Sequence, residues 1–306
     1  MHLALKIDVD TYRGTRYGVP RLAQLLRKHG AGATFLFSLG RDHTGRAVKR
    51  VFRRGFLSKV RRTSVLSHYG LATLLYGTLL PGPDIGRRCA AVMRQVRDQG
   101  FEVGIHTYDH VRWQDHVSAE GPSWTQREME RACERFRNIF GTDPKVHGAA
   151  GWQMNRHAYR LTQRLGFSYC SDTRGTRPFV PVCQAELVAC PQLPTTLPTL
   201  DEMIGTNGVT VDNVAEHILD LCRDPGPTGH VFTLHAELEG MKLSALLERL
   251  LQGWRMMGYR LMSLGDYFDS QSDKNLPRHE AILGEVPGRT GTLAMQGPEF
   301  LAWAKP

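Results

Sequence analysis

The chain has 306 residues, 41% apolar and 23% charged, an ordinary globular composition with enough length for one large α/β domain and a full core. No stretch approaches the roughly 18 consecutive apolar residues of a membrane span. Residues 1–9 lack a basic n-region, a long apolar run and a small-residue cleavage site, which argues against a secretory signal; the protein is expected in the cytoplasm. The six cysteines (Cys89, Cys133, Cys170, Cys183, Cys190 and Cys222) show no C-x-x-C spacing, so they read as packed thiols rather than a zinc ribbon or a disulfide framework. The net charge of +9 is concentrated in residues 41–62, where Arg41, Arg46, Lys49, Arg50, Arg53, Arg54, Lys59, Arg61 and Arg62 stand against a single acid, Asp42.

Apolar β-rich runs at 3–7, 33–39, 102–105, 145–148, 167–170, 230–234 and 260–261 alternate with helical periods at 19–29, 86–99, 123–140, 156–165, 212–222 and 243–257. About seven β/α units predict an α/β fold with a parallel sheet closed into a distorted barrel or nearly so. In such barrels the chemistry gathers at the C-terminal ends of the strands. Residues 41–85 interrupt the second unit with a basic half followed by the apolar run Leu71 to Leu80 and then Pro81-Gly82-Pro83. Residues 1–270 are expected to form one domain, and residues 271–306 an irregular tail packed on the barrel.

Asp8 and Asp10 close the first strand in Lys6-Ile7-Asp8-Val9-Asp10. Residues i and i+2 of a strand point to one side, so the two carboxylates can converge. Alone, the pair reads equally as a turn or helix-capping motif before Thr11. His106 and His110 follow the third strand in His106-Thr107-Tyr108-Asp109-His110, and their spacing is expected to place both imidazoles on one side of a helical turn, as metal-binding pairs do. The glutamate of H-E-x-x-H is missing, so this is no zinc-protease signature. Residues 231–235 make a strand that ends on His235, by itself an ordinary core histidine. Position decides between these readings, because all five residues sit at the C-terminal end of a β run.

One carboxylate and two imidazoles leave open positions on a divalent ion for a water and a substrate carbonyl. A second carboxylate takes the water's proton, and a histidine protonates the departing amine. The set predicts metal-dependent amide hydrolysis, and an Asp with two His accepts zinc, cobalt, manganese or nickel.

These motifs resemble those of the NodB-type polysaccharide deacetylases, a paired-acid strand end, H-[ST]-x-x-H and a late L-x-H, which stand here as Asp8-Val9-Asp10, His106-Thr107-Tyr108-Asp109-His110 and Leu234-His235. More narrowly, residues 7–15, Gly18-Val19-Pro20-Arg21-Leu22, Ala149-Ala150-Gly151-Trp152, Ser171-Asp172-Thr173-Arg174-Gly175, Leu197-Pro198-Thr199 and His235-Ala236-Glu237-Leu238-Glu239-Gly240 are similar to the deformylases of 4-deoxy-4-formamido-L-arabinose carried on undecaprenyl phosphate. The similarity spans residues 3–268. It implies a NodB-type barrel that hydrolyses a formamide on a lipid-linked sugar at the cytoplasmic face of the bacterial inner membrane. The implied products are formate and a free amine, destined for lipid A, where its charge underlies resistance to cationic peptides such as polymyxin. By motif, the resemblance makes Asp8 the base, Asp10, His106 and His110 the metal ligands, His235 the acid, and Asp172 the carboxylate that orients His235. The D-x-D spacing leaves the roles of Asp8 and Asp10 exchangeable. The R-x-P-x-[GY] motif, whose arginine pairs with the base, is replaced by Ala149-Ala150-Gly151-Trp152-Gln153, a departure shared with the deformylases.

A sugar on a C55 lipid requires work at a bilayer surface without crossing it. Residues 41–85 suit a membrane-docking lobe, the basic half for anionic headgroups and Leu71 to Leu80 for the interface; the alternative is a buried apolar run under a solvated charged face. Arg13, Arg16, Arg174 and Arg177 lie near strand ends and suit the carrier phosphate by guanidinium geometry, or are solvated surface residues. Two other functions fit the same residues, a deacetylase of another N-acylated sugar or glycan and a membrane-surface protein with a vestigial metal site. Nucleic acid is not expected as a partner, since the basic segment lacks interleaved aromatics.

Overall fold

Strand β1 (His2–Val9) has apolar side chains on its outer face and a graded inner one, and the sheet is built around it. It lies between β2 (Thr34–Ser38) and β8 (His230–His235), and the sheet continues from β2 through β3 (Glu102–Thr107), β4 (Val146–His147) and β5 (Tyr169–Cys170). β9 (Arg260–Met262) pairs with the start of β1, and every pairing in this seven-stranded sheet is parallel. The sheet curls until residues 192–197 bridge its two ends: Leu193 N–H donates to Cys170 O (2.7 Å) and Thr196 N–H to Val231 O (3.0 Å). The predicted distorted barrel is thus present, closed by an irregular segment instead of a strand. The structure, a computed structural model, describes residues 1–47, 71–271 and 275–301.

Leu3, Leu5, Ile7 and Val9 face outward into the core shared with the surrounding helices. The alternate residues face the barrel interior, where Ala4 packs with Leu36, Val146, Tyr169, Val231 and Tyr267. Moving along β1 the inward column changes from Ala4 to Lys6 and Asp8, and along β8 from Val231 through Thr233 to His235. The apolar residues plug one end of the barrel, and the polar ones collect at the C-terminal strand ends.

The helices Val19–Lys28, Ala90–Asp98, Pro122–Phe140, Arg156–Arg164, Val214–Leu221 and Ser244–Met256 follow the predicted periods. Pro122–Phe140 begins on a proline, whose missing N–H has no intrahelical partner to lose in the first turn. It stops at Gly141, where φ is 73°, the left-handed conformation that glycine adopts without a Cβ penalty.

The tail departs from expectation. Within residues 271–306, expected to be irregular, β10 (Arg278–Glu285) and β11 (Thr292–Glu299) form an antiparallel hairpin, and β10 also pairs with β6 (Val180–Cys183), itself paired with β7 (Glu186–Leu187). Two glycines hide this hairpin from a hydropathy reading. A Cβ on Gly284 would lie 2.6 Å from Met295 Sδ and one on Gly297 2.8 Å from Ile282 Cγ2, so glycine takes the place of the alternating side chains. In the insertion, Lys49, Arg50, Arg53, Arg54, Lys59, Arg61 and Arg62 lie outside the described residues. The apolar run forms the short helix Leu71–Leu75 and then exposes Leu79 (81%) and Leu80 (42%). Among the described residues no helix is long and apolar enough to cross a membrane.

Leu5, fully buried on β1, and Leu283, 56% exposed on β10, make a matched pair of tests. Leu5→Ala is expected to cost about 2–5 kcal/mol in urea unfolding, and Leu283→Ala to stay within about 0.5 kcal/mol.

Candidate active site

The β1–β8 register sets Asp8 directly opposite His235. Asp10 follows β1, and His106 lies within β3. His110 is the first residue of the helix His110–His116, whose N-cap Asp109 accepts from Arg112 N–H. The histidine pair therefore does not share a helical turn, as the spacing suggested: a strand end and a helix start joined by a two-residue link, Tyr108 and Asp109, bring the rings to 5.3 Å between centroids. Asp10 Oδ1 is 3.3 Å from His106 Nε2 and 3.5 Å from His110 Nε2, and one donor atom from each of the three residues lies within 4.8 Å of the others.

Asp10 Oδ1 and Asp8 Oδ1 are both buried with no aligned hydrogen-bond donor. Burying a carboxylate oxygen in this way is unfavourable unless a cation faces it. One oxygen and two imidazole nitrogens around an open position make a donor set that fits a divalent transition metal. Burial alone would raise the Asp10 pKa, but the charges of His110 and then His106 beside it outweigh that and hold the carboxyl well below its usual range. His106 answers in kind: burial would lower its pKa, and Asp8 and Asp10 raise it.

The cation beside Asp8 is Lys6. Fully buried, it places Nζ 3.3 Å from Asp8 Oδ2 and donates to Ser171 O at 3.0 Å. The carboxylate beside His235 is Asp201, whose Oδ1 is 4.0 Å from His235 Nδ1. Asp172, assigned to that role by motif, is engaged elsewhere. It accepts from Ala149 N–H (2.9 Å) and Gln192 Nε2 (3.0 Å) and meets His147 Nδ1 at 2.7 Å, and none of these contacts is with His235.

Arg174, suited by sequence to the carrier phosphate, is likewise engaged elsewhere. It is buried, with Nη1 donating to Glu202 Oε1 (2.6 Å) and Nη2 to Leu197 O (3.0 Å), so its charge is balanced inside the fold and not presented at the surface. Arg177 faces Glu299 on β11 at 3.5 Å. Arg16 is exposed and donates to Tyr12 Oη (2.7 Å), and Arg13 is half-buried at the same rim.

Sequence reasoning missed Lys6, Asp201, Arg289 and the roles of Glu237 and Glu239. A charged residue inside an apolar strand was the signal for Lys6. The Thr199–Glu202 capping box was the signal for a helix start that carries Asp201. Glu237 Oε1 accepts from Asp10 N–H (3.1 Å), Thr11 N–H (2.8 Å) and Thr11 Oγ1 (2.8 Å), fixing the turn that aims Asp10. A Cβ on Gly14 would meet the same oxygen at 2.0 Å, which explains glycine there. Glu239 Oε2 accepts from His235 N–H (2.7 Å). Burial raises the pKa of Glu237 well above the usual carboxylate range and pushes Glu239 up to about 7.

Residues 4–170 match the family model described as polysaccharide deacetylase. The chain belongs to the polysaccharide deacetylase family. Within it, the chain is 35% identical over 294 residues, 96% of its own length and 94% of the relative's, to a Shewanella sediminis (strain HAW-EB3) protein named "Probable 4-deoxy-4-formamido-L-arabinose-phosphoundecaprenol deformylase ArnD". A Wigglesworthia glossinidia brevipalpis protein of the same name is 30% identical, with 92% of this chain and 98% of that one covered. Among solved structures, a Mycobacterium smegmatis protein assigned to the polysaccharide deacetylases superposes with a TM-score of 0.63 at 17% identity, covering 93% of this chain and 94% of its own. A family 4 acetyl xylan esterase from Clostridium thermocellum, solved with a cobalt ion, gives 0.52 at 12% identity, covering 89% and 92%. These two likenesses establish the shared fold. His235, Asp201 and the β10–β11 hairpin lie beyond the part of the chain that the family model matches.

The Glu239 carboxyl gives a pH test. A folded-state pKa raised from 4.5 to about 7 means that the folded protein holds a proton the unfolded chain releases. Stability from this group is therefore undiminished below pH 4.5 and falls as pH rises to about 7, by roughly 3 kcal/mol. Glu239→Gln, which cannot ionise, is expected to be more stable relative to wild type at pH 8 than at pH 5 in urea unfolding. An equal difference at both pH values would contradict the raised pKa.

Proposed function

We propose that the chain removes the N-formyl group from 4-deoxy-4-formamido-L-arabinose carried on undecaprenyl phosphate, releasing formate and the free aminosugar lipid. The observation that carries this reading is the placement of Asp8 and His235 as register partners beside the Asp10, His106 and His110 cluster. The similarity to the deformylase relatives across nearly the whole chain supports the substrate.

Asp10, His106 and His110 would hold the divalent ion. What such an ion supplies when bound is Lewis acidity toward a water and an amide carbonyl. Asp8, its Oδ1 unpartnered and Lys6 balancing its charge, takes the proton of the attacking water. A neutral amine leaves and an amide anion does not, so a proton must reach the sugar nitrogen as its bond to the formyl carbon breaks. His235, on the neighbouring strand, delivers it, with Asp201 nearest its other nitrogen and Glu239 holding its backbone. One water is consumed, the C–N bond breaks, and formate and amine depart.

The lipid carrier calls for a membrane surface. Exposed Leu79 and Leu80 support an interfacial contact at the edge of the insertion, and Arg13 and Arg16 are the rim arginines still suited to the carrier phosphate.

Formate release from a formamido-arabinose polyprenyl phosphate tests the reaction. Wild type is expected to turn over only with metal. Asp8→Asn and His235→Ala are expected to retain metal and lose about 10²–10⁴-fold in kcat. Inactivity on this lipid together with acetate release from N-acetylated glycans would replace the substrate and keep the chemistry. For the surface, the double substitution Leu79→Ser and Leu80→Ser is expected to weaken cosedimentation with anionic vesicles at least about tenfold, given roughly 1.5–3 kcal/mol for each fully buried leucine; unchanged binding would remove the docking role.

A further inference from the structure

Asp172 is fully buried and hydrogen-bonded on both oxygens, yet the chemistry above gives it no part. Its contacts lead to a metal ligand. His106 Nδ1 meets Gly148 O at 2.7 Å. A carbonyl oxygen only accepts, so Nδ1 carries the hydrogen and Nε2 of the neutral ring keeps its lone pair for the cluster, 3.3 Å from Asp10 Oδ1. The direction of one backbone carbonyl therefore sets which nitrogen of His106 is offered and where it points.

Three anchors hold that carbonyl. Gly148 N–H donates to Ile105 O at 2.9 Å, tying the peptide to β3 beside His106 itself. Asp172 Oδ1 grips both flanks of Gly148, meeting His147 Nδ1 at 2.7 Å on one side and Ala149 N–H at 2.9 Å on the other. Asp172 is locked in turn by Gln192, which donates from Nε2 to Oδ2 (3.0 Å) and accepts at Oε1 from Asp172 N–H (2.9 Å). A Cβ on Gly148 would stand 2.4 Å from Leu36 Cδ1, so the peptide is pressed against the barrel interior with no room to turn.

We propose that Asp172 is a positioning residue for the metal ligand His106, acting through the backbone of residues 147–149 and not through His235. The proposal rests on the reading of Asp10, His106 and His110 as metal ligands. Outer partners of a ligating histidine typically govern metal affinity by about 10–100-fold.

The test is metal affinity, measured as competition for Zn²⁺ or Co²⁺ against a chromophoric chelator on the full chain, with apo-protein unfolding followed in parallel. Asp172→Asn is expected to bind about 10–100-fold more weakly than wild type. Glu202→Gln, which breaks an equally buried ion pair with Arg174, is expected to keep wild-type affinity and so separates positioning from general destabilisation. If Asp172→Asn does not fold, His147→Gln, which alters one flank of the same grip, carries the same expectation. Wild-type affinity in the folded Asp172 or His147 variant overturns the positioning role. An equal loss in Glu202→Gln overturns it too. A wild-type chain that binds neither ion, alone among these results, removes the metal-centre reading as well.

Discussion

A lysine with no exposed surface stands beside the carboxylate of Asp8 at the axis of the barrel, and much of the surrounding structure is arranged to accommodate it. Isolated, either charge would be expensive to bury, and their attraction offsets that cost only when the remaining donors and acceptors are also met. Lys6 meets Ser171 O as well as Asp8, and its ammonium lies 5.0 Å from the centroid of Trp152. The same ring has Arg174 at 5.0 Å and Arg289 at 4.9 Å. Glu202 balances both arginines, and Asp201 faces Arg289. One indole thus stands among three cations, Lys6 balanced by Asp8 and the two arginines by Glu202 and Asp201. The segment 149–153, where the resemblance marks the loss of an arginine that pairs with the base, contributes the ring around which other cations gather.

Trp152 occupies the left-handed region with φ of 52°, next to Gly151 at 61°. For a bulky residue that conformation costs on the order of 1–3 kcal/mol and persists only where the surroundings over-determine it. Here they do, since the indole is buried among the cations and its Nε1 donates to Thr195 Oγ1 at 3.3 Å. The hairpin β10–β11 takes part in this arrangement. Its turn carries Arg289 to Glu202 Oε1 (2.8 Å) and Asp201 Oδ1 (3.3 Å), so the carboxylate nearest His235 is shared with a residue from the far end of the chain. A segment that reads as an appendage in the sequence is in contact with the His235 side of the site.

The barrel strands were legible because both of their faces are buried, leaving short apolar runs separated by helical periods. The convergence of Asp10, His106 and His110 was legible because they stand next to strand ends, where the register brings them together. The partners were less so. Asp172 and Asp201 both follow the fifth strand, Asp172 in a loop and Asp201 in the first turn of a short helix, and the capping box that marks that helix says nothing of which acid faces His235. The difference lies in which donors reach each one: His147, Ala149 and Gln192 surround Asp172, whereas Thr199 and Arg289 leave Asp201 near His235. Arg174 failed as a phosphate ligand for the same reason, because Glu202 is 28 residues away in sequence and beside it in space. The hairpin was hidden by glycines standing where an alternating pattern would show.

The root of the insertion bears on the loops that carry Asp10 and His110. Asp42 Oδ2 accepts from Tyr12 N–H at 2.9 Å, two residues beyond Asp10, and Oδ1 accepts from Thr44 N–H and Oγ1. His43 Nδ1 meets Asp109 Oδ2 at 2.6 Å, and the other oxygen of Asp109 caps the helix that begins with His110. A Cβ on Gly82 would lie 1.7 Å from Asp42 O and one on Gly77 2.8 Å from His43 Cδ2, so the returning arm is packed against the outgoing one at the same place. The insertion therefore leaves and re-enters the barrel through a stem joined to the turn after Asp10 and to the cap of the helix that supplies His110. Whatever surface Leu79 and Leu80 meet is held at a fixed relation to Asp10 and His110, because the stem between them is hydrogen-bonded to the loops that carry those two residues and packed without space for a side chain.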